Sequence, residues 1–409
     1  MTTAPATPAT RATRAVVLVF AIAAGSSAGC LYYLQPLLHE VAADLAVSTA
    51  TAALLVSAAQ VGYLCGLALL VPLGDFLERR RMVPALLAAS VLALLVSALT
   101  PVFPLLLVSV FATGVTASAA QVVVPWASAL AEPERSGEVV GAVMSGLLLG
   151  ILLSRVLAGA VAEVAGWRAV LLVAAGLQLA TSIAVYRLAP ASGRAADGER
   201  YGAVLASILT LIRRHPVLRH RMILGFLSMA CFSAVWTALA FLLSGAHGSP
   251  YHYPEIVIGL FGLAGAAGAL GAPLVGKLAD RGNLRAVTTG VWLTVLAGWA
   301  LLAWGGQQVS VLIVALLVFD FGIQGVQLAN QNAVYALDPA VRSRLTTAYM
   351  VTYFAGGVVG SVVAGFAYQA GGWLLICALG AGTTVVGIAF WTGLFARHAV
   401  AASEPAPAR

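Results

Sequence analysis

Charge is what this sequence has least of. Of its 409 residues only 9% are Asp, Glu, Lys or Arg, while 61% are hydrophobic; an average soluble domain is about 25% charged. A soluble protein of this length could not cover its surface with so few charges. Lysine is nearly missing, with Lys277 standing alone against 21 arginines. Cysteine is scarce too: Cys30, Cys65, Cys231 and Cys377 fall in four separate apolar runs, without metal-ligand or redox spacing. They read as small packing residues. The six histidines (39, 215, 220, 247, 252 and 398) lie in loops or near the ends of apolar runs. No Ser/His, Cys/His or metal-ligand cluster can be assembled within those runs, which argues against an enzyme and against a metal or cofactor. No appended soluble domain is there to read out a signal, which argues against a receptor.

What is present is a series of long apolar runs, many near the ~20 residues that a helix needs to cross hydrocarbon. Alternating polar and apolar stretches are few, so a β-barrel is excluded and helices remain the way to satisfy the backbone in lipid. An all-α integral membrane protein follows. Twelve transmembrane helices are predicted near 15–37, 49–72, 82–100, 103–130, 139–162, 168–188, 221–245, 256–276, 286–304, 309–334, 345–367 and 372–395. The first run is too long for a cleaved signal peptide and is expected to stay as the first helix.

Cytoplasmic loops carry the excess of basic residues. With both termini cytoplasmic, 20 of the 22 basic residues, including Arg79, Arg80, Arg81 and Arg221, face that side. The exceptions are Arg168, in a short outer loop, and Arg155, inside the fifth helix. The net charge of +7 then needs no nucleic acid, because a basic inner face meets anionic lipid.

The chain also repeats itself. "VPLGDFLERRR" (71–81) recurs loosely as "GKLADRGNLR" (276–285), Arg135 matches Arg342 at an offset of 207, and "GW" at 166–167 recurs at 372–373. Six helices were duplicated, giving pseudo-symmetric halves at 1–188 and 221–409. The connection 189–220 is rich in Arg and Pro, and its stretch "YGAVLASILTLIRRH" has helical spacing suited to the membrane surface. Two six-helix halves describe a secondary transporter with its substrate site between them near the midplane.

The loop "PLGDFLERRR" resembles the signature between helices two and three of the major facilitator superfamily, and the pattern covers nearly the whole chain. "YYLQPLLHEVAADLAVS" and "MSGLLLGILLSRVLAG" resemble its bacterial twelve-helix drug:proton antiporter branch. Val71, Phe76 and Glu78 depart from the usual loop, while Gly74, Asp75, Arg79 and Arg80 keep it. The second copy keeps Gly276, Asp280 and Arg281. Ile151 follows Gly150 where antiporters often carry Pro, and helix four lacks their usual Arg. The resemblance implies a monomer in a bacterial inner membrane that exports drugs or other toxic compounds in exchange for protons.

The loop has a physical rationale. A carboxylate such as Asp75 or Asp280 at a helix end can accept from exposed amides of a neighbouring helix N-terminus. Arg79, Arg80 and Arg281 can pair with acids across the inner face. Such contacts would gate the conformational change. Glycines recur at four helices: Gly62 and Gly66, Gly146 and Gly150, Gly262, Gly265, Gly268 and Gly271, and Gly356 and Gly360. Small residues at this spacing let backbones approach closely. In the family these helices meet between halves, and that is the role expected here; packing within each half is the alternative.

One polar stripe crosses the tenth span. Asp320, Gln324, Gln327 and Gln331 share a helical face, and a charged Asp near the bilayer centre costs about 2.5–3.5 kcal/mol. The stripe is expected to face a cavity, with Ser118 and Gln121 as its counterparts in helix four. Asp320, the one acid well inside a span, is the expected proton-coupling group; a fixed structural contact is the alternative. Arg155 either pairs with it or binds carbonyls near the end of helix five. Tyr32, Gln35, Gln60, Phe232, Trp236, Tyr349 and Tyr353 are further cavity residues. One acid, many amides and several aromatics suit neutral or cationic amphipathic molecules. The cavity lacks the converging Arg or Lys residues of a phosphate or dicarboxylate carrier. Sugar or metabolite efflux and an uncoupled facilitator remain alternatives.

Overall fold

The computed structural model describes residues 13–132, 135–190, 201–263, 284–338 and 341–403, and among them there are helices and no strands. The helices are α1 (Arg14–Gly29), α2 (Leu38–Asp44), α3 (Thr49–Cys65), α4 (Arg79–Leu99), α5 (Phe103–Ala117), α6 (Ala119–Leu130) and α7 (Ser136–Leu188). They continue as α8 (Tyr201–Arg214), α9 (Pro216–Leu243), α10 (Glu255–Leu260), α11 (Leu284–Gly305), α12 (Val309–Tyr335) and α13 (Arg342–Ser403). Among the described residues, eight stretches are long and apolar enough to cross a membrane, and α1 is a shorter apolar helix. Leu92, Leu99, Val108, Val173, Leu293 and Leu374 leave large apolar side chains exposed, as expected of surfaces that meet lipid rather than water.

The repeated "GW" marks the same backbone event twice. α7 and α13 are each about twice the length needed to cross hydrocarbon, and each is broken at the repeat. Gly166 has φ 78° and Gly372 has φ 62°, a region that glycine enters without a Cβ penalty. The tryptophans that follow are buried, and Trp373 Nε1 donates to the Leu302 carbonyl at 2.7 Å. The fourth predicted span is also broken. At Ser118, between α5 and α6, the side-chain hydroxyl donates to the Val115 carbonyl at 2.7 Å. The first span stops as a regular helix at Gly29 and continues through turns and a single 3-10 turn, Gln35–Leu37.

The chain forms two compact units, Met1–Leu37 with Ala58–Ala206, and Leu38–Ser57 with Ser207–Arg409. Residues 38–57 therefore group with the second unit. In the first unit α1 packs on α7, and α4 packs on α5 and α7. In the second, α9 packs on α13 and α11 on α12. The stretch 201–214 is helical as α8, in which Val204 is buried and Leu209 is 61% exposed.

The glycines explain how close these contacts are. A Cβ at Gly62 would run into the Phe111 carbonyl, and one at Gly66 into Val115 and Ser118. Gly146 lies against Ala21, and Gly150 against Gly25. In the second unit Gly356 lies against Phe226 and Gly360 against Ala230. Each contact joins helices of one unit. The Cβ-free face of each is thus filled by a neighbour in its own unit, as packing within a half would have it. Gly268 lies outside the described residues, as do Gly265, Gly271, Gly276, Asp280 and Arg281.

Replacing Gly150 or Gly356 by leucine should force paired helices apart, at a cost of about 1–3 kcal/mol or more. Alanine at Gly141 or Gly176, where a Cβ meets nothing within 4 Å, should leave stability unchanged. Thermal unfolding of the detergent-purified protein, read by size-exclusion profile, checks both.

Candidate functional site

In the first unit the irregular segment after α1 positions the site. Tyr32 and Gln35 are three residues apart, and in 3-10 geometry residues three apart eclipse. They therefore share a face although the helix has ended. Arg155 of α7 meets that face: its Nε and Nη2 donate to Gln35 Oε1 at 3.2 and 2.9 Å, and its guanidinium lies 4.9 Å from the Tyr32 ring centroid. Arg155 is 4% exposed and Gln35 3%. A second pair stands on α3 and α6, where Gln121 Nε2 donates to the Tyr63 hydroxyl at 3.1 Å. Tyr63 was not among the predicted site residues, because a single aromatic in an apolar run carries no sequence signal. Gln60 is buried on α3.

Ser118 is fully buried, bonded to its own helix turn at the α5–α6 break and close to where a Cβ at Gly66 would sit.

In the second unit Asp320 is 2% exposed on α12, and the Trp236 indole Nε1 of α9 donates to its Oδ1 at 3.3 Å. Phe232 lies one turn before Trp236, their ring centroids 6.1 Å apart. Two turns beyond Asp320, Gln327 Oε1 accepts from the Tyr349 hydroxyl at 2.7 Å, and Tyr349 and Tyr353 lie 6.0 Å apart by ring centroid. Gln327 and Gln331 both approach the Met350 sulfur, at 3.7 and 3.9 Å. Gln324 is partly buried. The stripe is thus brought together with the predicted aromatics of α9 and α13. Arg155 and Asp320 belong to different units, and each is engaged within its own.

Sequence reasoning misplaced one residue. Arg221, counted with the basic cytoplasmic face, is 5% exposed inside α9. Its Nη1 donates to Thr288 Oγ1 and Asn330 Oδ1, each at 3.2 Å, and its guanidinium lies 4.6 Å from the Trp391 ring centroid. Arg155 is therefore not the one basic residue buried within the helices. A position at the edge of an apolar run carries too little signal to separate burial from topology.

The loop signature forms a tight turn before α4. Pro72–Asp75 forms a 3-10 turn, and Arg79 Nε donates to the Gly74 carbonyl at 2.9 Å. Arg80 Nη2 donates to the Tyr186 carbonyl at 3.4 Å, one of the last carbonyls of α7, which have no helical donor. Gly74 packs near Val122, and the Asp75 side chain lies outside the described residues. Among the described residues no group of His, Cys, Asp and Glu is arranged to hold a metal.

The model of the Major Facilitator Superfamily matches residues 18–340. The chain is 40% identical over 386 residues to the putative uncharacterized transporter YgaY of Escherichia coli K12, covering 94% of this chain and 97% of that one. It is 27% identical to a chloramphenicol resistance protein of Streptomyces lividans, covering 70% and 71%. Its fold is similar to the crystal structure of a variant of the nucleoside transporter NupG, with a TM-score of 0.77 at 14% identity, covering 93% of this chain and 99% of that one.

Substituting Gln35 by leucine should remove two hydrogen bonds from the Arg155 guanidinium. The loss of charged hydrogen bonds should cost roughly 1.5–3 kcal/mol, and Gln324→Leu should cost less. Thermal unfolding of both variants in detergent checks the difference.

Proposed function

The chain is a multi-pass transporter of the Major Facilitator Superfamily, and on that premise we propose that it is a proton-coupled antiporter exporting small amphipathic molecules. It works in the bacterial cytoplasmic membrane, with both termini inside and twelve spans. The two long helices each count as two spans joined at a glycine corner, and the eighth falls mostly outside the described residues. The observation that carries this reading is the Asp320–Trp236 contact. An acid buried among apolar helices, and engaged there by the Trp236 indole, can exchange a proton when its surroundings alternate between dry and wet. The aromatics around it, Phe232, Trp236, Tyr349 and Tyr353, offer flat apolar surface, while Gln327, Gln331 and Gln121 offer donors and acceptors. Arg155 supplies the positive charge of the first unit.

The energetics are sufficient. One proton entering down a membrane potential gains about 2.3 kcal/mol per 100 mV, which supports a gradient of roughly 50-fold for a neutral substrate exchanged one for one. The similarity to a chloramphenicol resistance protein favours a drug-like substrate. The abundance of amides favours a second reading, export of a hydroxyl-rich metabolite or sugar.

Growth of an efflux-deficient bacterium across antibiotics, dyes and sugar analogues tests the proposal. Cells making the intact protein should resist at least one amphipathic compound, and Asp320→Asn at equal membrane expression should abolish that resistance. Resistance that survives the substitution would remove the proton-coupling role from Asp320. Protection against sugar analogues alone would favour the second reading.

A further inference from the structure

We propose that Arg221 is the centre of an oxyanion-binding site within the second unit, formed with Asn330 and Thr288. Arg221 is ionised at any working pH and is 95% buried by exposure, yet no carboxylate of the described residues lies against it. One nitrogen, Nη1, makes both of its hydrogen bonds. Nε and Nη2, the edge of the fork that matches a carboxylate or phosphate with two parallel bonds, have no acceptor among the described residues. Asn330 adds an independent observation. It is fully buried, its Oδ1 is fixed by Arg221, and its Nδ2 faces the Tyr349 hydroxyl without completing a hydrogen bond of ordinary geometry. The Arg221 contact sets which way the amide points, so the orphan is a donor.

Unsatisfied groups of one kind identify what is missing. Both are donors, so the absent ligand is rich in acceptors and carries negative charge. A buried cation without a counter-charge is costly, and the Trp391 face offsets only part of that cost. The burial is not inherited from the repeat. Arg14, at the repeat offset of 207 residues, sits exposed at the start of α1. One turn on from Arg221, the Tyr349 ring packs directly against Gly225, where a Cβ would lie 2.7 Å from it. Tyr349 bonds Gln327, so the oxyanion site adjoins the polar stripe of α12. Export of a molecule carrying a carboxylate or phosphate group fits this arrangement, and so does a lipid phosphate reaching the same fork. The site rests on the transporter reading only for what carries the oxyanion.

The test is binding to the purified full-length protein, which does not depend on proton coupling or on any resistance phenotype. Thermal unfolding is followed in detergent with inorganic phosphate or benzoate against chloride at matched ionic strength. A parallel series uses nanodiscs of phosphatidylcholine with or without phosphatidylglycerol. The intact protein should be stabilised by at least one of these anions. Arg221→Gln, and Arg221→Lys which keeps the charge but loses the fork, should weaken the apparent affinity about tenfold or more. Dependence on phosphate or benzoate points to a substrate group, and dependence on phosphatidylglycerol alone points to a lipid. If Arg221→Gln does not fold, Arg221→Lys and Asn330→Leu carry the test. Variants that fold and respond to every anion as the intact protein does would overturn the proposal.

Discussion

A charge that lies in hydrocarbon has to be turned inward and held, and the polar architecture of this protein follows from that constraint. Water is not there to solvate it, so each buried ionic group draws partners from neighbouring helices. Arg155 gathers Gln35 and the Tyr32 ring from the irregular end of the first span. Asp320 takes the indole of Trp236. Arg221 takes a threonine, an asparagine and the face of Trp391. Each of these contacts ties together helices that are far apart in sequence.

The second requirement is proximity without side chains. Without a hydrophobic force between helices in lipid, association rests on close packing. The glycines of α3, α7 and α13 let backbone meet backbone within a unit. The same economy of side chains provides for the corners at Gly166 and Gly372, where the chain reverses through a conformation that favours glycine.

Much of this was legible in the sequence, and the reasons differ by element. Helical class and membrane residence followed from charge scarcity alone, because hydrocarbon admits few alternatives. The duplication was visible in "GW" because backbone corners tolerate little substitution. The stripe on α12 was visible because polar residues in an apolar run stand out. Arg221 was not, since positive residues near a span end are the rule on the cytoplasmic side, and only the packing of α9 against α12 and α13, with the bond to Thr288 of α11, distinguishes it. The partners that the glycines meet within each unit were not legible for a related reason. Spacing tells that a helix has a smooth face and says nothing of which helix fills it. Tyr63, which completes the Gln121 contact, had no polar neighbour in sequence to mark it.

The seam where Gly25 and Gly150 meet has a mechanical consequence. With no side chains between them, α1 and the first part of α7 have no compliant layer that could absorb a displacement. A push on one backbone is delivered to the other with little loss, as in a welded joint rather than a hinge. Arg155 stands one turn and one residue beyond that weld on α7, and its partners Tyr32 and Gln35 follow directly from the α1 end. Anchor and load are thus mounted on one stiff frame, and a ligand pulling on the guanidinium would move both helices together.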